Sequence, residues 1–184
     1  MRRMWQPHRR ARRAETPRGR RRREASTTTR HGVTIAVPGG PKIVLTHLVT
    51  DFTGTLAKDG RLLPGVSTRL RRLARVLHIV VATADTFGTV RRALTGLPVN
   101  IFLVKTGADK ARIVRELGPA HVVAVGNGHN DVRMFKAAGL SIAVIGPEGA
   151  AGRLLRGAVV VVGSAATALD LLMRPLRLGA TLRD

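Results

Sequence analysis

The chain contains no cysteine and no tyrosine. Without thiols it can form neither a disulfide nor a thiolate metal site, which is compatible with a reducing cytoplasm. Aromatic residues are few, with four Phe and one Trp, so the core has to come from Val, Leu, Ala and Ile. No uninterrupted apolar run approaches the ~20 residues needed to cross a bilayer. Lysine is sparse: Lys42, Lys58, Lys105, Lys110 and Lys136 stand among a large excess of arginine. Such usage suits a GC-rich genome as much as a functional pressure. Acidic side chains are also scarce, 11 against 32 basic ones, for a net charge of +21. That balance favours anionic partners. A length of 184 residues is enough for one domain with a sizeable core, plus a tail.

The tail is residues 1–32. Its first 30 residues hold 12 Arg and two Glu and have almost no apolar content. Such a segment cannot bury enough surface to offset its ordering entropy, so disorder is expected. A polycation of this kind binds nucleic acid nonspecifically through phosphates. The competing reading is a translation start nearer His31 or Val33. The pair Arg2-Arg3 is followed by no hydrophobic stretch, so an export signal is not expected.

From residue 33 to 184 the pattern is regular. Val33 to Val37 and Lys42 to Thr50 read as strands joined by Pro38-Gly39-Gly40-Pro41, and Leu56 to Leu63 as a small hairpin. A helix capped by Ser67 runs to about Val76. His78 to Thr83 is a strand, Thr86 to Gly96 a short helix, Val99 to Val104 a strand, and Asp109 to Leu117 a helix ended by Gly118-Pro119. The same beat continues with strands at 121–125, 140–145 and 158–162 and helices at 129–138, 148–155 and 164–173, the last capped by Ser164. The stretch 174–184 is expected to pack across an edge. Continuous Val/Ile strands alternating with helices predict a three-layer α/β domain around a parallel sheet.

Four segments carry the chemistry. Asp51 ends a buried strand and enters the turn Thr53-Gly54-Thr55, at the sheet edge where such folds bind ligands. A carboxylate there can attack phosphorus and form an aspartyl phosphate. Thr83, followed by Ala84-Asp85, ends the next strand and offers a hydroxyl. A lysine can neutralise the phosphoryl oxygens. On the residues alone both Lys105 and Lys110 qualify, and an ammonium at a helix start, as at Lys110, opposes the helix dipole. Gly126-Asn127-Gly128-His129-Asn130-Asp131 supplies oxygen ligands suited to Mg²⁺. His129 reads as a helix-start residue rather than a proton shuttle.

Together these pieces resemble the haloacid dehalogenase superfamily, in particular the phosphorylation domain of P-type ATPases and the small soluble proteins related to it. DFTGTL resembles Asp-Lys-Thr-Gly-Thr, Thr83-Ala84-Asp85 resembles Thr-Gly-Asp, and Lys110 through Gly126-Asn127-Gly128-His129-Asn130-Asp131 resembles the stretch ending in Gly-Asp-Gly-x-Asn-Asp. The match selects Lys110 over Lys105. The resemblance implies a Rossmann-like core and a Mg²⁺-dependent phosphohydrolase acting on a phosphorylated small molecule or nucleotide. Asp51 would be the nucleophile, and Thr53 would lend its carbonyl oxygen to the metal. Gly54, Thr83, Ala84, Lys110 and Asn130 would bind the phosphoryl group. Asp131 and Asn127 would complete the metal site.

Two departures from that pattern matter. Phosphatases of the superfamily carry an acid–base Asp where Thr53 stands, so the aspartyl phosphate is expected to hydrolyse slowly, by a factor of roughly 10²–10⁴. Asn127 replaces an Asp, which weakens the metal site. The intervals Asp51–Thr83 and Thr83–Lys110 are too short for a cap, a nucleotide-binding domain or membrane helices. The protein is therefore not expected to be a pump, and its site is closed by a neighbouring subunit in a homo-oligomer, by a large substrate, or not at all. Thr53 and Asn127 also suit a second reading, a catalytically weak protein that binds phosphate-bearing ligands. The Arg-rich tail suggests a third, a protein associated with nucleic acid.

Overall fold

A computed structural model describes residues 31–183; the disorder, polyanion-binding and start-site readings of residues 1–30 fall outside them. Ten strands and seven α-helices follow one another: β1 (Val33–Ala36), β2 (Lys42–Leu45), β3 (His47–Thr50), β4 (Ala57–Lys58), β5 (Arg61–Leu62), α1 (Val66–Leu73), β6 (His78–Thr83), α2 (Val90–Ala93), β7 (Asn100–Leu103), α3 (Gly107–Glu116), β8 (Val122–Gly126), α4 (Val132–Ala137), β9 (Leu140–Val144), α5 (Gly152–Leu155), β10 (Val160–Val162), α6 (Ala165–Leu172) and α7 (Pro175–Thr181). Six strands form one parallel sheet in the order β10-β9-β8-β3-β6-β7. This is the expected α/β architecture.

Side chains alternate across the sheet, as strand geometry requires. Leu48, Ile79, Val81, Val123, Val125 and Ile142 pack with α1 and α6 on one face. Val49, Val80, Ala82, Val122, Ala124 and Ala143 pack with α3 and α4 on the other. Both faces are dry, which explains the continuous Val/Ile runs. The path from β3 to β6 holds only the β4–β5 ribbon and helix α1, so among the described residues no cap is inserted there over the carboxyl edge of the sheet. The chain moves outward from β3 through β6 to β7, then returns along α3 to β8 on the other side of β3. The strand order therefore reverses between β3 and β8, a crevice in which open α/β sheets hold ligands.

Several boundaries differ from the sequence reading. The run Lys42 to Thr50 is two strands. β2 pairs with β1 in an antiparallel ribbon of its own, and the chain then passes through Thr46 into the main sheet, where Thr46 N–H donates to His121 and Thr46 carbonyl accepts from His78. Helix α1 starts one residue before Ser67, on a left-handed Gly65, and makes no side-chain cap. The Thr86–Gly96 segment yields only the single turn α2, because Asp85 takes a left-handed turn and its carboxylate caps Thr89 and Val90 N–H. Helix α3 starts two residues earlier than expected, because Thr106 and Asp109 form a capping box that satisfies its free N–H groups. The segment 129–138 opens with a 3-10 turn at His129–Asp131 before α4. Ser164 caps α6 as anticipated.

Helix α7 covers the β1–β2 ribbon rather than a main-sheet edge. Leu178 is buried beneath it, and Gly179 lets the helix backbone touch the Ala36 carbonyl, where a Cβ would collide. Gly179→Val should destabilise the fold by about 1–3 kcal/mol through overpacking, read as a lower denaturation midpoint. Gly157→Ala, where a Cβ meets nothing nearer than the Leu154 carbonyl at 3.8 Å, should shift stability by no more than about 0.5 kcal/mol.

Candidate active site

Strand β3 ends at Thr50, paired with Val81 of β6 on one side and Val125 of β8 on the other. Asp51 is the next residue. Its N–H continues the ladder to the Val125 carbonyl at 2.9 Å, which leaves its side chain at the carboxyl edge between the two neighbouring strands. Lys110, in the first turn of α3, reaches this point from the face below. Its Nζ donates to Asp51 Oδ1 and Asp131 Oδ1, both at 2.7 Å. All three side chains are buried. Lys105, the alternative candidate, is exposed.

A dry ammonium at the positive end of a helix is unfavourable unless anions meet it. Burial pulls the Lys110 pKa down, yet the charges and hydrogen bonds of Asp51 and Asp131 outweigh this and leave it above its ordinary value. Asp51 shifts the other way from most ion-paired carboxylates. Burial and the neighbouring Asp131 charge push it from 3.8 up to about 6, against the pull of Lys110 and the Phe52 N–H. Asp131 is held tightly: its second oxygen accepts from Asn127 N–H at 3.2 Å and Gly128 N–H at 3.0 Å.

The remaining predicted residues divide. Thr83 is buried at the end of β6, and its Oγ1 accepts the Asp85 N–H at 3.1 Å, which leaves the hydroxyl proton to donate elsewhere. Asp85 itself caps α2. Asn127 lies against the Asp51 turn, with Oδ1 accepting from Thr55 Oγ1 at 3.0 Å and Nδ2 donating to the Gly149 carbonyl at 3.1 Å. Gly54 sits at positive φ, 74°, and its N–H goes to the Ala57 carbonyl. A Cβ there would fall 2.5 Å from Asn127 Nδ2 and 3.0 Å from Glu148 Oε2, so the missing side chain is what lets these groups close on the turn. Ala84, His129 and Asn130 are exposed on the same edge, outside the hydrogen-bonded cluster.

Glu148 was not anticipated from the sequence. It brings a third carboxylate beside Gly54 and Asn127 and makes no hydrogen bond or ion pair among the described residues. Its position depends on the 146–151 loop folding back, with Ala151 N–H donating to the Asn127 carbonyl; no local motif announces that. Thr55, buried and holding Asn127, was likewise passed over.

The site's fitness for a metal rests on its donors. They are all oxygen, as a hard cation requires. Asp51 keeps one oxygen clear of Lys110, and Thr53 Oγ1 is buried with no hydrogen-bond partner, an orphaned polar atom beside the nucleophile position. Among the described residues no three His, Cys, Asp or Glu side chains form a ready metal cluster. The arrangement suits Mg²⁺, which commonly uses one or two carboxylates with substrate phosphate and water.

The model of the haloacid dehalogenase-like hydrolases matches residues 48–147. The chain belongs to that family. An uncharacterized protein of Methanocaldococcus jannaschii is 42% identical over 79 residues, covering 41% of this chain and 85% of the other. Among solved structures, the 3-deoxy-D-manno-octulosonate 8-phosphate phosphatase of Moraxella catarrhalis, in complex with magnesium, phosphate and KDO, aligns with a TM-score of 0.55 and 14% identity over 74% of this chain and 90% of that one. The catalytic domain of a CPx-ATPase, CopB-B, aligns with a TM-score of 0.52 and 22% identity over 60% of this chain and 45% of that one. These two likenesses concern the fold.

Because Lys110 alone separates two buried carboxylates, Lys110→Met should cost about 3–5 kcal/mol at neutral pH. The loss should depend on pH. Asp51 already has a raised folded-state pKa, so its contribution to stability is present below its ordinary value and disappears as pH rises through about 6. Removing the ammonium takes away the pull that lowers this value, so the variant should recover melting temperature, relative to the parent chain, between pH 8 and pH 5. An equal deficit at both pH values would show that the carboxylate pair is not what Lys110 holds.

Proposed function

We propose that the protein is a Mg²⁺-dependent phosphohydrolase that works through an aspartyl phosphate on Asp51. The single observation that carries this reading is the buried Asp51–Lys110–Asp131 cluster at the carboxyl edge of β3, in a chain whose family is one of hydrolases. It accounts for a lysine buried at a helix start and for an Asp51 carboxyl that burial pushes up to about 6.

Asp51, through the oxygen that Lys110 does not hold, attacks phosphorus, and the bond from phosphorus to the leaving-group oxygen breaks. Lys110 and the Thr83 hydroxyl hold the phosphoryl oxygens and offset the charge that builds on them. Water then attacks the same phosphorus, and the Asp51 carboxylate departs with release of inorganic phosphate. Asp51, the Thr53 carbonyl, Asn127 and Asp131 would hold Mg²⁺, with Glu148 adding negative charge beside Asn127; the ion would supply further charge neutralisation. The Moraxella phosphatase with magnesium and phosphate ions supports this assignment.

The weak point of the machinery is proton transfer. The leaving-group oxygen needs a proton and the attacking water must lose one. Thr53 stands where an acid–base carboxylate would serve, and a hydroxyl cannot do either task well at neutral pH. The intermediate should therefore be long-lived. The open edge, with no cap above it, suits a phosphorylated small molecule or nucleotide that is bound in part by groups beyond the catalytic cluster.

The test is to mix the protein with Mg²⁺ and labelled acetyl phosphate or γ-labelled ATP, and to look for acid-stable, hydroxylamine-labile label on the chain. Asp51→Asn should carry none, and chelation of Mg²⁺ should abolish labelling. Thr53→Asp should speed decay of the label by on the order of 10²-fold. Absence of label and of phosphate release from either donor or from a panel of phosphomonoesters would leave the ligand-binding reading, which Thr53 and Asn127 also suit.

A further inference from the structure

A groove of about 620 Å³ opens beside the catalytic cluster, walled by Gly107 of α3, Asn130, Arg133 and Lys136 of α4, and Arg153 of α5. A smaller hollow of about 260 Å³ continues it past Lys136 and Arg153 to Arg156. Neither is lined by an Asp or Glu. The four cations are exposed, and none makes a hydrogen bond or ion pair among the described residues. Elsewhere several arginines are occupied: Arg69 grips Asp170 with two hydrogen bonds of 2.9 and 2.8 Å, Arg71 donates to the Gly96 carbonyl, and Arg112 lies near Asp109 and Glu116. Other arginines are also unpaired, but Arg133, Lys136 and Arg153 converge on one concavity that no carboxylate lines. Like charges set in a concave wall repel one another and focus a positive field outward, and an anion relieves both costs.

The groove adjoins the chemistry through its walls. Gly107 precedes Lys110 by one helical turn, which places it roughly 4.5 Å along the axis from that residue. Asn130 immediately precedes Asp131, and the Gly107 backbone packs directly on the Asn130 carbonyl. A ligand whose phosphoryl group meets Asp51 would extend over Asn130 towards Arg133 and Lys136.

We propose that this groove is a second anion subsite, and that the substrate is a small organic bisphosphate whose second phosphate stays on the leaving group and is held by Arg133, Lys136 and Arg153. The proposal rests on the phosphohydrolase reading above and narrows its substrate class. Arginine and lysine differ in use here: the guanidinium forks can grip a terminal phosphate with paired donors, while the ammonium adds charge.

The test uses the full chain and two substrates with one scaffold, hexyl phosphate and hexane-1,6-diyl bisphosphate, at fixed ionic strength with Mg²⁺. The parent chain should prefer the bisphosphate in kcat/KM. In Arg133→Ser/Lys136→Ser and in Arg153→Ser that preference should fall by on the order of tenfold, mostly through KM, as expected for lost charge-assisted hydrogen bonds. Arg72→Ser/Arg75→Ser, which removes the same charge from the opposite face, should keep it. No preference in the parent chain, or equal loss in the Arg72/Arg75 pair, would overturn the subsite and leave the hydrolase intact. Turnover of neither substrate, together with no labelling by acetyl phosphate or ATP and no release from the phosphomonoester panel, would overturn the hydrolase reading itself. In that case, calorimetric titration of hexane-1,6-diyl bisphosphate into Asp51→Asn and Asp51→Asn/Arg133→Ser/Lys136→Ser still reads the groove, with equal affinity of the two counting against it.

Discussion

A lysine stripped of water between two carboxylates is the interaction around which this molecule is arranged. Each of the three groups is costly to bury alone. Each becomes tolerable only when the other two lie within hydrogen-bond distance, and their backbones come from separate parts of the chain: the end of β3, the first turn of α3 and the turn after β8. The sheet order brings these together. With β3 between β6 and β8, and α3 crossing from β7 back to β8, the helix start and both strand ends arrive at the same edge. A different order would leave at least one charge without a partner. The raised pKa values of Lys110 and Asp51 are consequences of that closeness, one dominated by attraction and the other by dehydration and repulsion.

The two ends of the sheet do different work. At the amino edge, β2 runs into β3 through Thr46, the β1–β2 ribbon carries α7 on its surface, and apolar and backbone contacts are joined by the His47–His78 ring stack and a bond between His121 and the Val44 carbonyl. At the carboxyl edge the turns are short and rich in glycine, so polar groups approach one another closely: Asp51, Asn127, Glu148 and the Thr53 hydroxyl sit around one turn. Apolar packing lies beneath this edge, with Val125 and Val81 on one face and Val49 and Ala124 on the other. Polar groups placed on such a support lose little entropy when a ligand arrives. Around the acidic centre lies a cationic wall on α4 and α5. That arrangement matches a ligand with one anionic group at the centre and another farther out.

Much of this was legible along the chain because it depends on neighbours in sequence. Buried parallel strands announce themselves as Val/Ile runs, and Asp51, Thr83 and Asp131 each follow such a run at a turn. Ser164 was readable as a cap because capping is local. Where the reading slipped, a local signal was weaker than a contact made elsewhere or was offset by another local bond. Lys42 to Thr50 looks like one strand, since nothing in its composition marks the point where pairing passes from β1 to the main sheet. The segment after Thr83 looks helical, but the Asp85 carboxylate claims the first N–H groups and leaves room for one turn. Thr106 with Asp109 is a capping signature that does mark the true start of α3.

The sequence by itself determined the alternation of strands and helices, the parallel sheet and the identity of the chemical groups, because periodicity and turn chemistry act over a few residues. It could nominate both Lys105 and Lys110, and resemblance to a family was needed to choose. Only the tertiary structure decided that Lys110 spans Asp51 and Asp131, that Glu148 comes back beside Gly54, and that Arg133, Lys136 and Arg153 share one groove. Those are distances between residues far apart in the chain, set by which strand lies beside which and by how closely the backbones at Gly54 and Gly107 let their neighbours approach.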